Sequence, residues 1–86
     1  MTGEAYFIDA LKALPKDICK RVDWSMAISN KIADAIASQG KTQKEFAKEI
    51  GKSEAEVSRW LGGTHNFTLS TLAKISAFLG VDLIQA

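Results

Sequence analysis

The 86 residues allow one compact domain, and a hydrophobic content of 47% is enough to fill a modest core. Residues 1–4 lack the basic flank and apolar run of a signal peptide, and no stretch approaches the roughly 18 apolar residues of a membrane span, so we expect a cytoplasmic protein. A net charge of +1, with one cysteine and one histidine, argues against a disulfide framework, a Cys/His metal site and loose electrostatic coating of nucleic acid.

Apolar residues recur at three-to-four spacing in almost every window, which predicts an all-α fold. A first helix is expected over 5–13, with an apolar stripe made of Phe7, Ala10, Leu11 and Leu14. Pro15 suits the first turn of a new helix, and residues 16–22 are expected to form a short helical turn. Asp23 is then expected to cap a long helix that ends before Gly40. Its apolar face would consist of Ile28, Ile32, Ala35 and Ile36.

Two short helices are predicted next, each opened by a capping pattern. Thr42 has Glu45 three residues later, the spacing of a capping box, and Gly51 is expected to end this helix. Ser53 and Glu56 repeat the spacing at the start of the second helix. The chain therefore predicts a helix, a glycine-containing turn and a second helix within about twenty residues.

A last helix is expected to start at Thr68 or Ser70 and to end at Leu79 before Gly80, leaving residues 81–84 as an apolar tail. Trp24 is interpreted as a core or half-core residue. The residues expected to be mostly buried are Ile32, Ile36, Phe46, Ala47, Ile50, Val57, Trp60, Leu61, Leu72, Ile75 and Leu79.

Residue size at the two short helices is specific to a helix-turn-helix. Ala47 is small enough for the helices to approach, Gly51 suits the left-handed turn, and Val57 and Trp60 would hold the second helix on the first. The run from 42 to 63 resembles the phage-repressor and Cro-like (xenobiotic-response-element type) helix-turn-helix family, and the resemblance extends over roughly residues 28–83. Lys52, where many members have an aliphatic residue, departs from the family pattern, as does the acidic start of the second helix.

The resemblance implies a repressor-like fold, and we expect a five-helix domain over 23–86 with an N-terminal helical extension over 1–22, the two packed as one compact unit. It also implies a sequence-specific transcriptional regulator, and favours a repressor that places the helix at about 54–62 in the major groove of a double-stranded DNA operator. Because one short helix gives little discrimination alone, a homodimer is expected. Pairing is predicted through the stripe that contains Phe7 and Leu14 or through the tail 81–84. The alternative is that the N-terminal helix caps its own domain.

Candidate DNA contacts lie on both short helices and on the loop that follows them. The resemblance implies that Gln43 binds a phosphate, whereas Arg59 faces away from Val57 and Trp60 and is expected to read a guanine edge. The alternative for Arg59 is a surface ion pair with Glu56, and His65 has the alternative of capping or packing. The full candidate set is Gln43, Lys44, Ser53, Glu54, Ala55, Ser58, Arg59, Thr64, His65 and Asn66.

Two other functions remain open at this stage. One is the antitoxin of a toxin–antitoxin pair, which would repress its own operon and use residues 1–22 either to bind a toxin protein or to form a dimer. The other is a helix-turn-helix reused as a protein-interaction module, favoured by the low net charge and the acidic start of the second helix. An enzyme is not expected, because the sequence offers no Ser/His/Asp set and no phosphate-binding glycine-rich loop, and no cofactor or metal is expected.

Overall fold

The computed structural model describes residues 15–84, and the helices within that range confirm the all-α class. They are α1 (Lys16–Ser38), α2 (Gln43–Ile50), α3 (Glu54–Leu61) and α4 (Leu69–Leu79), with no strand between residues 15 and 84. The expected count of five is not matched, since the helix predicted over 5–13 and its apolar stripe lie outside the described residues. Among the described helices, none combines the length and apolar character needed to cross a membrane.

Helix α1 is longer than expected at its start. Pro15 is the N-cap residue, and its carbonyl accepts the backbone N–H groups of Ile18 and Cys19 at 3.1 and 3.2 Å. The prediction that Asp23 caps a separate helix is wrong, because Asp23 lies exposed inside α1. No glycine or proline lies between 16 and 38, so nothing stops the helix that begins after Pro15.

The turn between α2 and α3 has the predicted capping residues. The amide of Glu45 donates to Thr42 Oγ1 and the amide of Thr42 donates to Glu45 Oε1, both at 3.1 Å, which confirms the capping box. Gly51 ends α2 with φ of 77°, in the left-handed region that glycine adopts without a steric penalty. At α3 the pattern is only half present: Ser53 Oγ accepts the amide of Glu56, whereas the Glu56 carboxylate lies 3.9 Å from Lys52 Nζ.

Helix α4 is capped by Thr68 rather than Ser70, because Thr68 Oγ1 accepts the amide of Thr71 at 3.2 Å. The C-terminal end of α4 is hydrogen-bonded to the C-cap residue of α1. Gln39 Nε2 donates to the carbonyl of Leu79 at 2.9 Å. The ends of α1 and α4 are therefore joined by a hydrogen bond that spans most of the domain sequence.

The core contains nearly all the residues predicted for it, with Leu61 half-buried instead of buried. Two expectations are wrong. Trp24 is 64% exposed on the first part of α1. The tail does not simply trail away, since Leu83 is 2% exposed in the core and its amide donates to Ser76 Oγ at 3.4 Å. The buried apolar residues are Ile32, Ala35, Ile36, Phe46, Ala47, Ile50, Val57, Trp60, Leu72, Ile75, Leu79 and Leu83.

Candidate nucleic-acid interface

Helix α3 is fixed by contacts with both α1 and α2. Val57 and Trp60 are fully or almost fully buried on its inner side, and Ala47 of α2 is 2% exposed at the helix pair. The ring of Trp60 meets the ring of Phe46 edge to face, with 6.4 Å between centroids. Because these contacts fix the inner side, the outer side of α3 has one defined orientation toward solvent.

A hydrogen bond from α1 completes the end of α3. Ser29 Oγ, which is buried, donates to the backbone carbonyl of Trp60 at 2.6 Å. The last carbonyls of a helix lack partners within the helix, so Ser29 supplies one from a different element. Ser29 was not among the residues predicted from the sequence. Its signal was present, because Ser25 and Ser29 continue the buried periodicity of Ile32 and Ile36 toward the N-terminus of α1.

The outer side of α3 presents the predicted candidates to solvent. Glu54, Ala55, Ser58 and Arg59 are all exposed, and Arg59 is the only basic residue in α3. The alternative pairing of Arg59 with Glu56 is not observed, and within residues 15–84 Arg59 has no ion-pair partner, since Glu56 lies beside Lys52. The guanidinium is thus available to an external partner.

The first turn of α2 and the start of α3 contribute further exposed groups. Gln43 is the first residue of α2, and Lys44 follows it on the surface. Ser53 is exposed, but its hydroxyl oxygen already accepts the Glu56 amide, so it can still donate its own proton to a ligand. These groups offer neutral and cationic donors of the kind that bind phosphate oxygens.

The structure brings Arg59 and His65 to one small cleft of about 180 Å³. Lys52, Glu56 and Thr71 also line it, so the cleft combines several potential hydrogen-bond donors with the carboxylate that lies beside Lys52. Lys52 and Thr71 were not among the candidate contacts predicted from the sequence. Lys52 was visible as a departure from the family pattern, whereas Thr71 reaches the cleft only because of how α4 packs.

The three side chains of the loop from 64 to 66 differ in exposure and in the residues they contact. Thr64 and Asn66 are exposed, whereas His65 is half-buried and meets the ring of Phe67 edge to face at 4.8 Å between centroids. His65 therefore packs against the loop as well as lining the cleft with Arg59. Asn66 lies instead at a second, larger groove on the α1 side.

The negative charge of Glu45 is stabilised within the capping box. The backbone N–H of Thr42 lowers the pKa of this carboxyl, with smaller contributions from the Thr42 hydroxyl and the charge of Lys41. Lys41 itself lies 2.9 Å from Glu49 Oε2. Both acidic residues of α2 thus already have partners within the chain.

Comparison with known proteins identifies the same part of the chain. A family model described as helix-turn-helix matches residues 32–85. Comparisons with curated proteins and with solved structures gave no significant match. The matched range covers α2, α3 and α4 together with the second part of α1, and so it contains every candidate contact described above.

Proposed function

This chain belongs to the Cro/C1-type helix-turn-helix family of DNA-binding regulators, and from that premise we propose that it is a repressor that reads a specific operator with α3. The observation that carries the proposal is the outer side of α3, where Arg59 is exposed opposite the buried Val57 and Trp60. A helix held rigidly on its inner side can present fixed side chains to the edges of base pairs.

Each exposed side chain on this surface has a chemical role in the proposal. Arg59 reads guanine through O6 and N7, Glu54 accepts from cytosine N4, and the methyl group of Ala55 contacts a thymine methyl. Ser58, on the same side, donates to a base edge or a phosphate. Phosphate contacts are assigned to Gln43, Lys44, Ser53, Thr64, His65 and Asn66, which position the protein without reading sequence.

The length of α3 supports a dimer on the operator. Its eight residues span about 12 Å, which allows one helix to contact only a few base pairs. Two copies related by a two-fold axis would double the number of base contacts and match a palindromic operator. We therefore propose that the repressor acts as a homodimer on double-stranded DNA.

The test compares Arg59→Ala with Gln43→Ala on a selected operator and on scrambled DNA, each at two salt concentrations. We expect Arg59→Ala to weaken operator binding by about 1–3 kcal/mol and to relax preference at one base position. Gln43→Ala should weaken both DNAs alike, because a neutral phosphate contact carries little sequence information. Fluorescence anisotropy titrations give the eight affinities of the two variants, and the same conditions give four for the parent.

The matched control is Lys20→Ala, which removes the same unit charge from the exposed surface of α1. It should lower affinity for both DNAs by the same small factor and leave the base preference unchanged. If Arg59→Ala keeps its fold by circular dichroism and binds operator and scrambled DNA as the parent does, α3 does not read DNA. Absence of measurable DNA binding by the parent would favour the protein-interaction module instead.

A further inference from the structure

An open apolar groove of about 680 Å³ lies along the first part of α1. One wall is α1 itself, with Trp24 and Ile28, and the other wall includes Phe67 and Ile84. Trp24 is 64% exposed and Ile84 is 47% exposed, so a large apolar side chain on each wall faces solvent. Exposed apolar side chains gathered in one groove are typical of a surface that binds another protein.

Two charged residues of the groove lie at equal distances on either side of Trp24. Asp17, Trp24 and Lys31 are spaced by seven residues along α1, and all three are exposed groove residues. Because a straight helix drifts by only about 20° per seven residues, the three side chains lie nearly on one line along the helix. A negative charge is thus about 10 Å from Trp24 in one direction, and a positive charge is about 10 Å away in the other. The line of side chains is therefore complementary to its own reverse.

This order of charges matches a second copy of the same helix that runs in the opposite direction. A two-fold axis at Trp24 places Asp17 of each chain level with Lys31 of the other, since each lies seven residues from the axis. A parallel pair would instead place Asp17 beside Asp17 and Lys31 beside Lys31, and both contacts are repulsive. We propose that two copies of this chain pair through antiparallel α1 helices, with the two Trp24 side chains in contact at the axis.

The remaining groove residues are compatible with this pairing. Arg21 is level with Ala27 of the second copy, because the two lie three residues on either side of Trp24, so Arg21 meets no like charge there. Arg59 lines the other cleft and not this groove, and pairing leaves it available to DNA. The inference rests on the homodimer of the proposed function and names the surface that forms it.

Charge reversal in the full chain tests the pairing in the absence of DNA. Asp17→Lys makes both ends of the line positive and Lys31→Asp makes both ends negative, so each variant alone should dimerise about tenfold more weakly than the parent at low ionic strength. When the two variants are mixed, opposite charges meet at both ends, and a heterodimer should form about as tightly as the parent dimer. Sedimentation equilibrium, with one variant carrying a fluorescent label, gives the masses and the dissociation constants.

The matched control is Asp23→Lys, which makes the same charge change at an exposed position of α1 outside the groove and should dimerise as the parent does. Trp24→Ser should give monomers that keep their fold by circular dichroism, because Trp24 lies outside the core.

The proposal is overturned if the parent is monomeric at high concentration, if Asp17→Lys weakens the dimer no more than Asp23→Lys does, or if the mixed variants form no heterodimer. Operator binding is titrated separately. A dimer that survives Asp17→Lys and Trp24→Ser therefore overturns this surface without contradicting the reading of DNA by α3, which the Arg59→Ala titration decides.

Discussion

Ser29 provides a single-atom test of how α3 is held. Replacing it with alanine leaves the carbonyl of Trp60 without its buried donor, and we expect a loss of about 1–3 kcal/mol in the free energy of unfolding. Urea denaturation measures the change. Ser25→Ala is the control, because Ser25 is similarly buried one turn earlier in α1 but makes no hydrogen bond to α3. Equal costs for the two variants would contradict a specific role for the Ser29 bond.

The capping box of α2 predicts a pH dependence. Since the folded chain lowers the pKa of Glu45 from its ordinary value of 4.5, the stabilisation is present above that unfolded pKa and is lost as pH falls through the lower folded value. We therefore expect Glu45→Gln to have a lower melting temperature than the parent at neutral pH and a flatter decline in acid. Differential scanning calorimetry across the acidic range checks both features.

Glu54→Gln is the control for net charge. Glu54 also lies exposed in the first turn of a short helix, but the box that shifts the pKa is formed by Glu45 and Thr42. The melting temperature of Glu54→Gln should therefore decline with falling pH in the same way as that of the parent. If the melting temperatures of Glu45→Gln and the parent differed by the same amount at every pH, the charge of Glu45 would make no contribution to the stability of the capping box.

At the scale of elements, the contact between α2 and α3 depends on the small size of Ala47. Ala47→Leu adds three carbon atoms at a site that is 2% exposed, and we expect overpacking to cost about 1–3 kcal/mol. Ala37→Leu makes the same change on the exposed side of α1 and should be nearly neutral. The measurement is the urea midpoint, and an unchanged midpoint for Ala47→Leu would argue against close packing of the two helices.

Sequence reasoning succeeded where a few neighbouring residues decide the outcome. The capping of α2 by Thr42 and the left-handed turn at Gly51 depend on local chemistry, and both are confirmed. The prediction that Asp23 starts a new helix was wrong, because a residue that could cap a helix does not start one where the preceding turn is already helical. The exposure of Trp24 was also mispredicted, since burial depends on which distant segments reach a residue.

The same division applies to the candidate site. Exposure of Arg59 opposite Trp60 follows from helical periodicity alone and could be predicted. The cleft that joins Arg59 to Lys52 and Thr71 could not, because it requires the relative positions of α3, α4 and the loop between them. Long-range placement, rather than residue chemistry, was the missing information.

For the whole molecule, the proposed dimer predicts the mass of the protein–DNA complex and the distance between the two half-sites. Sedimentation with an operator duplex should show two protein chains per duplex, and footprinting should show two half-sites about 34–36 Å apart, one turn of DNA. A duplex carrying one half-site is the control and should bind one chain more weakly. Monomeric protein at high concentration, both alone and on the full operator, would contradict the dimer.

Because α1 is one continuous helix, it could serve as a rigid connection to a fused protein. Every buried residue of α1 lies at Ser25 or later, and the earlier turns, which line the larger groove, are continuous with the part of the helix that holds α3. If a helix of a second protein were fused in continuous register with these turns, the second protein would have a fixed orientation relative to α3. Each added residue would rotate that protein by about 100° and move it by about 1.5 Å, so the linker length would set its angular phase against the operator.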